Sequence, residues 1–297
     1  MTFFRYIYLR LALFILRGLV KLRANINPSP DSIQHIPSRE PRRSIKAHVY
    51  QSKRDSGAEG SKPRPVLINF FGCGYILPLH GSSEQFCRQI SEQTDRIVLD
   101  VSYQLAPENP FPAQLHDAED VVKWVLSQPS MFDSSRISLS GFSSGGNLAL
   151  STVSSSFAPE TFHSVLAFYP GTESYRDPAT LVPPQVGGKQ MPTFFLRVIY
   201  GCWIPEGVDM MDPRISPGLA EAERFPAKVL MITAGYDSMA EESERLAEKL
   251  KQDPERRVVC ERMDRCNHGW DLKAEPGTRE WELRCKAYSM AVQMLQS

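Results

Sequence analysis

An open, mostly parallel α/β sheet flanked by helices is the fold class the sequence predicts, and three observations predict it. Segments with strand character alternate with segments of helical period along most of the chain. Several strand segments are unbroken apolar runs, such as Val66-Leu67-Ile68 and Val229-Leu230-Met231-Ile232, which suit strands covered on both faces. The length, 297 residues, is enough for one large α/β domain or two ordinary ones.

Strands are expected at residues 45–51, 66–71, 97–103, 136–142, 164–169, 228–234 and 257–263. Helices fall between them at 83–94, 117–127, 145–155 and 241–251. A last helix over 278–295 carries its own start signal, with Thr278 as N-cap and Glu280 in the first turn. Residues 170–226 break this rhythm: they hold nine of the chain's 23 prolines and, apart from a short helix near 193–200, show neither period. Their Phe194, Phe195, Tyr200 and Trp203 favour a packed insertion, a lid, over a linker.

Composition narrows the function classes. Lys+Arg and Asp+Glu number 34 each, so the net charge is zero and no electrostatic footprint for nucleic acid exists. A hydrophobic share of 42% with 23% charged residues is that of a globular protein. The six Cys include no C-x-x-C pair, so a zinc ribbon or thioredoxin-type site is not indicated, and an intracellular, cytoplasmic location is expected.

The zero hides an asymmetry. The first thirty residues carry Arg5, Arg10, Arg17, Lys21 and Arg23 with no acid. Arg10 interrupts the apolar stretch, and the longest apolar run, residues 11–16, is far short of the ~20 a spanning helix needs. Arg10, Arg17 and Lys21 share one helical stripe. Residues 3–22 therefore read as an amphipathic basic helix, either a lid over the protein's own core or a peripheral membrane contact, with a true span the weakest reading. Residues 1–44 form this N-terminal helix and lid segment, and 45–297 the main domain.

The chemistry centres on Gly141-Phe142-Ser143-Ser144-Gly145-Gly146, a G-x-S-x-G pattern between a strand and a helix. That context is a nucleophile elbow: the sharp turn presents Ser143 at the helix N-terminus. A Ser nucleophile needs a His base, and the base needs an acid. In this architecture the order along the chain is Ser, acid, His, which leaves His163 and His268 of six histidines. His163 opens a strand, whereas His268 lies in the turn-like Cys266-Asn267-His268-Gly269-Trp270 past the last strand. Asp237 ends Ala234-Gly235-Tyr236-Asp237, directly after a buried strand, and fits the acid; Asp264 and Asp271 read as solvated loop residues. Oxyanion donors are expected from the backbone of Ser144 and from Cys73 and Gly74 in the loop after the strand at 66–71.

With these pieces in place the chain resembles the hormone-sensitive-lipase (GDXG lipolytic) family of α/β-hydrolases, in a form similar to fungal esterase-like members. Asn69 to Tyr75 stand at the family's H-G-G-G loop, and Tyr103-Gln104-Leu105-Ala106-Pro107-Glu108 at its Y-R-L-A-P-E. Gly141 to Gly146 stand at G-D-S-A-G-G, and Gly235 to Glu242 with His268-Gly269-Trp270 at the acid and base. The chain departs from the pattern at Phe71 (family His), Cys73 (Gly), Phe142 (Asp) and Gln104 (Arg). The resemblance implies an α/β-hydrolase fold with a lid from the N-terminal helix and residues 170–226. It also implies a serine hydrolase acting on a small hydrophobic ester, with no cofactor or metal. The same triad serves acyl transfer and thioester hydrolysis in fungal biosynthesis, and plant hormone receptors similar to the family have lost the triad His. A thiol at Cys73 is also a target for electrophiles.

Overall fold

The computed structural model describes residues 3–23, 26–52 and 62–297, with the backbone alone at 3–9, 12, 21 and 23. All seven anticipated strands are present, joined by an eighth. In chain order they are β1 (Ser32–Pro37), β2 (Ser44–Tyr50), β3 (Arg64–Phe70), β4 (Ile97–Ser102), β5 (Phe132–Phe142), β6 (Ser164–Phe168), β7 (Lys228–Ala234) and β8 (Arg257–Met263). They form one sheet in the order β1-β2-β4-β3-β5-β6-β7-β8. The β1–β2 and β2–β4 pairs are antiparallel and the rest parallel.

Successive residues of the central strands enter different cores, as period-two alternation requires. Val66, Ile68 and Phe70 of β3 belong to one hydrophobic cluster, Leu67 to the other. The first cluster takes in α3 (Ala113–Leu126), α4 (Ser144–Ser155) and α6 (Ala240–Leu250); the second takes in α2 (Glu84–Gln93) and α7 (Arg279–Gln296). The sheet is thus covered on both faces. Thr278 caps α7, its hydroxyl accepting from the Trp281 N–H at 3.2 Å.

β1 was not anticipated because an edge strand needs only one covered face. Ile36 is buried while its neighbours are largely exposed, and Pro37 ends the strand where no further ladder bond is needed. α3 begins at Ala113, four residues before the expected start at 117, because Pro112 occupies its N-cap, where the missing N–H costs nothing.

α1 (Phe3–Arg23) lies against the domain. Leu13 is buried in the first cluster. The Arg17 guanidinium grips the loop after β4, donating to Ala106 O at 2.6 Å and Glu108 Oε1 at 2.9 Å, and it reaches Ile76 O at 2.7 Å. Arg10 pairs with Glu108 at 3.6 Å, so two members of the basic stripe face a protein carboxylate; the Lys21 side chain lies outside the described residues. The opposite face carries exposed Leu11, Phe14, Ile15, Leu19 and Leu22. No helix among the described residues is long and apolar enough to cross a membrane. Within residues 170–226, α5 (Thr193–Trp203) runs one turn beyond the expected helix and buries Leu196, Ile199, Cys202 and Trp203.

Candidate active site

β5 ends at Phe142 and α4 starts at Ser144, leaving Ser143 alone on the corner with φ +52° and ψ −119°. A non-glycine residue in that region is strained, and the surroundings hold it there. Its N–H donates to Phe168 O at 2.8 Å. The corner is tight because α4 presses on the end of β3: a Cβ on Gly145 would lie 2.0 Å from the Phe70 carbonyl oxygen. Only glycine fits there.

The structure brings the three distant residues together. His268 Nε2 lies 2.7 Å from Ser143 Oγ, and His268 Nδ1 lies 2.7 Å from Asp237 Oδ2. Asp237, buried just past β7, accepts the Met239 N–H at Oδ1, which orients the carboxylate. The imidazole packs edge-on against Tyr169, ring centroids 4.9 Å apart. Tyr169 is fixed in turn by donating to Asp271 Oδ1 at 2.6 Å, and Tyr288 donates to Oδ2 at 2.9 Å. Asp271 is therefore not the solvated loop residue its sequence setting implies. It is 3% exposed, and burial pushes its carboxyl above the usual range against the two tyrosine donors. A turn sequence does not reveal that two tyrosines converge on it.

The loop after β3 departs from the family pattern in a consistent way. Phe71 stacks on Tyr103 with centroids 4.6 Å apart, and the Tyr103 hydroxyl donates to Phe71 O at 2.6 Å. Cys73 Sγ lies 3.1 Å from the same hydroxyl. The Cys73 N–H, anticipated as an oxyanion donor, donates to Ser144 Oγ at 3.0 Å. Sequence reasoning considered only the backbone of Ser144 and missed its side chain; the Ser in place of the motif's Ala was the available signal. Ser144 is the first residue of α4, so its N–H has no intrahelical acceptor. Gly74 has φ +58°, and a Cβ there would lie 2.8 Å from Ile199 Cδ1 of α5.

The other two departures pack. Phe142 stacks on Phe168 at 4.5 Å and meets Phe86 edge-on. Gln104 donates its N–H to Asp117 Oδ2 at 2.9 Å, and the guanidinium paired with that carboxylate belongs to Arg43.

Cys73 is buried, and burial pushes its thiol up, away from the reactive thiolate. Iodoacetamide at neutral pH is accordingly expected to label exposed Cys285 in the native protein and to leave Cys73 unmodified, read by peptide mass spectrometry. Labelling of Cys73 at a rate matching Cys285 would contradict its burial.

A cavity of about 270 Å³ opens over Ser143 and His268. Its walls are largely apolar: Leu77 and Leu79 from the loop after β3, with Met191, Phe195, Ile199 and Trp203 from the insertion. A family model for the alpha/beta hydrolase fold matches residues 67–272, the span that holds Ser143, Asp237, His268 and the loop with Cys73 and Gly74. The chain belongs to the alpha/beta hydrolase fold family.

Within this family the chain is similar to proteins with different roles. It is 29% identical to the gibberellin receptor GID1 of Oryza sativa over 211 residues, 66% of this chain and 58% of the receptor. It is 29% identical to esterase LipI of Mycobacterium tuberculosis over 196 residues, 63% of this chain and 59% of the esterase. The chain thus spans under two thirds of the length of these curated relatives. The carboxylesterase EstE1, cloned from a metagenomic library, superposes with a TM-score of 0.79 at 25% identity, covering 96% of this chain and 98% of EstE1. An esterase of the fungus Rhizomucor miehei shares the fold, with a TM-score of 0.77 at 19% identity over 96% of this chain and 90% of its own.

Proposed function

We propose that the protein is a carboxylic ester hydrolase working through an acyl-enzyme. The observation that carries this reading is the unbroken Asp237–His268–Ser143 contact on the floor of an apolar cavity. Ser143 Oγ attacks the acyl carbon while His268 Nε2 takes its proton, and Asp237 holds the imidazolium. The Gly74 and Ser144 N–H groups, joined by Cys73 when Ser144 turns aside, receive the oxyanion. His268 then protonates the leaving alcohol, and water, activated by the same base, releases the acid. An alcohol or amine acceptor in place of water would make the reaction an acyl transfer. None of these steps calls for a metal or cofactor. The apolar walls favour a small hydrophobic ester.

Residues 1–44 and 170–226 act as the lid in this reading. α5 supplies the cavity wall, and α1 is clamped beside it through Arg17. The outer face of α1 makes peripheral contact with an anionic membrane surface. Its exposed Leu11, Phe14, Ile15 and Leu22 stand in a segment that has no acid and carries Arg5, Lys21 and Arg23 besides the two arginines turned to Glu108. Phe14→Ser/Leu22→Ser is expected to cut partition into anionic vesicles at least about tenfold, given ~0.8 kcal/mol per buried CH₂, and to leave hydrolysis of a soluble ester unchanged. Equal partition of both proteins would remove the membrane contact.

The catalytic reading is tested by burst kinetics on p-nitrophenyl esters of graded chain length, with fluorophosphonate labelling of wild type and Ser143→Ala. Acylation present in wild type and absent in the variant is the expected result. The likeness to a hormone receptor, with the Cys73 N–H already occupied, favours a second reading, a ligand receptor. Saturable binding of apolar esters with neither labelling nor turnover would decide for it.

A further inference from the structure

On the far side of the loop that carries Cys73 and Gly74, three residues distant in sequence converge. His48 of β2 is paired in register with Asp100 of β4, so the two side chains are neighbours on the sheet. His80, at the end of the loop, stacks on His48 with ring centroids 4.0 Å apart. One donor atom from each of the three lies within 4.8 Å of the others.

The hydrogen bonding around them is incomplete in a directed way. Asp100 is fully buried, and its Oδ1 accepts from Asn69 Nδ2 at 2.7 Å. Asn69 Oδ1 accepts in turn from Ser140 at 2.8 Å, so the carboxylate plane is fixed from behind. Asp100 Oδ2 and His48 Nδ1 are both buried and make no hydrogen bond. His80 Nε2 lies 2.9 Å from Asp100 O and 3.5 Å from Asp100 Oδ2. Leaving a buried acceptor unsatisfied costs about 1–3 kcal/mol, and two such atoms belong to this cluster. A shared cation satisfies both atoms at once.

We propose that His48, His80 and Asp100 form a binding site for a divalent first-row transition metal of the zinc type. Two imidazoles and one carboxylate are a donor set such ions accept, with bonds of about 2.0–2.2 Å, and water takes the fourth position. Magnesium and calcium need shells of oxygen that three such residues do not supply. Asn69 and Ser140 are the outer supports that orient the carboxylate ligand. Binding uses the Nε2–H tautomer of His48, which leaves Nδ1 free. It uses the Nδ1–H tautomer of His80, whose Nε2 leaves Asp100 O and turns to the ion; no redox step is involved. His80 is the most accessible of the three and admits the ion. Because His80 belongs to the same loop as Cys73, Gly74 and the wall residues Leu77 and Leu79, a bound ion ties that loop to β2 and β4.

The test uses the full chain, treated with chelator and titrated with Zn²⁺ alone against a chromogenic chelator, and with Co²⁺ followed by its visible absorption. The expected result is one tight equivalent per chain, weakened at least about tenfold in His80→Asn and in Asp100→Asn. The Co²⁺ spectrum should show nitrogen and oxygen ligation without a thiolate charge-transfer band. Binding should also slow amide exchange in residues 76–83, a change that a surface site would not produce. No saturable binding to wild type, or a thiolate band showing that cysteines hold the ion, would overturn the proposal. Should either variant misfold, the wild-type Co²⁺ spectrum and the exchange data still decide. Neither readout depends on ester hydrolysis, so the site and the catalytic reading stand or fall separately.

Discussion

Asp237→Asn is expected to lower kcat/KM on an activated ester by about 10⁴-fold while leaving the fold intact. The reason is tautomeric. Asp237 Oδ2 sits 2.7 Å from His268 Nδ1, which fixes the proton on Nδ1 and leaves the Nε2 lone pair facing Ser143 Oγ. The Asn side chain keeps the shape, and its oxygen can keep the Met239 N–H bond now made by Oδ1. Its amide NH₂ then faces Nδ1 and moves the imidazole proton to Nε2, where it points at the serine that should be giving a proton away. Substrate binding, set by the apolar walls, is unaffected, so the loss falls on kcat rather than KM. Fluorophosphonate labelling should slow in parallel, and Asp237→Glu should recover part of the rate. A loss under about tenfold, with Ser143→Ala fully inactive, would mean that another group orients His268 and that the assigned acid is wrong.

How much of this was legible in the sequence follows from the range over which each feature is determined. Ser143 is set by six consecutive residues and the strand and helix on either side, so a local pattern was enough. Asp237 and His268 were reachable because chain order in a parallel sheet places successive strand ends along one edge. That the central strands are covered on both faces followed from unbroken apolar runs. What the sequence concealed is made between segments far apart. β1 has one buried apolar side chain, and its identity as a strand lies in its pairing with β2. Asp271 looks like any loop acid until Tyr169 and Tyr288 are folded onto it. The missing motif arginine at Gln104 is offset by Arg43, which reaches Asp117 from the N-terminal segment. His48, His80 and Asp100 carry no spacing signal, because strand register and a loop return bring them together.

Ser144→Ala is expected to raise kcat about tenfold, a gain where most substitutions next to a nucleophile would lose activity. One oxyanion donor is worth about 10²–10³ in kcat, and only a donor already aimed at the developing charge and not held by another acceptor contributes that much. The Cys73 N–H is now satisfied at 3.0 Å by Ser144 Oγ, a neutral acceptor that the substrate oxyanion must displace. Ser144 Oγ also lies 3.5 Å from the Tyr103 hydroxyl, which has a better partner in Phe71 O at 2.6 Å. Removing the Ser144 hydroxyl therefore leaves the Tyr103 anchor of the loop in place. The freed N–H is unsatisfied in the resting site and has the transition-state oxygen as its acceptor, so the change favours the transition state over the ground state. The gain should appear in kcat with KM little altered, and should vanish in Tyr103→Phe/Ser144→Ala, where the loop loses its hold on Phe71 O. A fall in kcat for Ser144→Ala alone would show instead that the hydroxyl positions the loop, and that Cys73 contributes through geometry rather than as a donor.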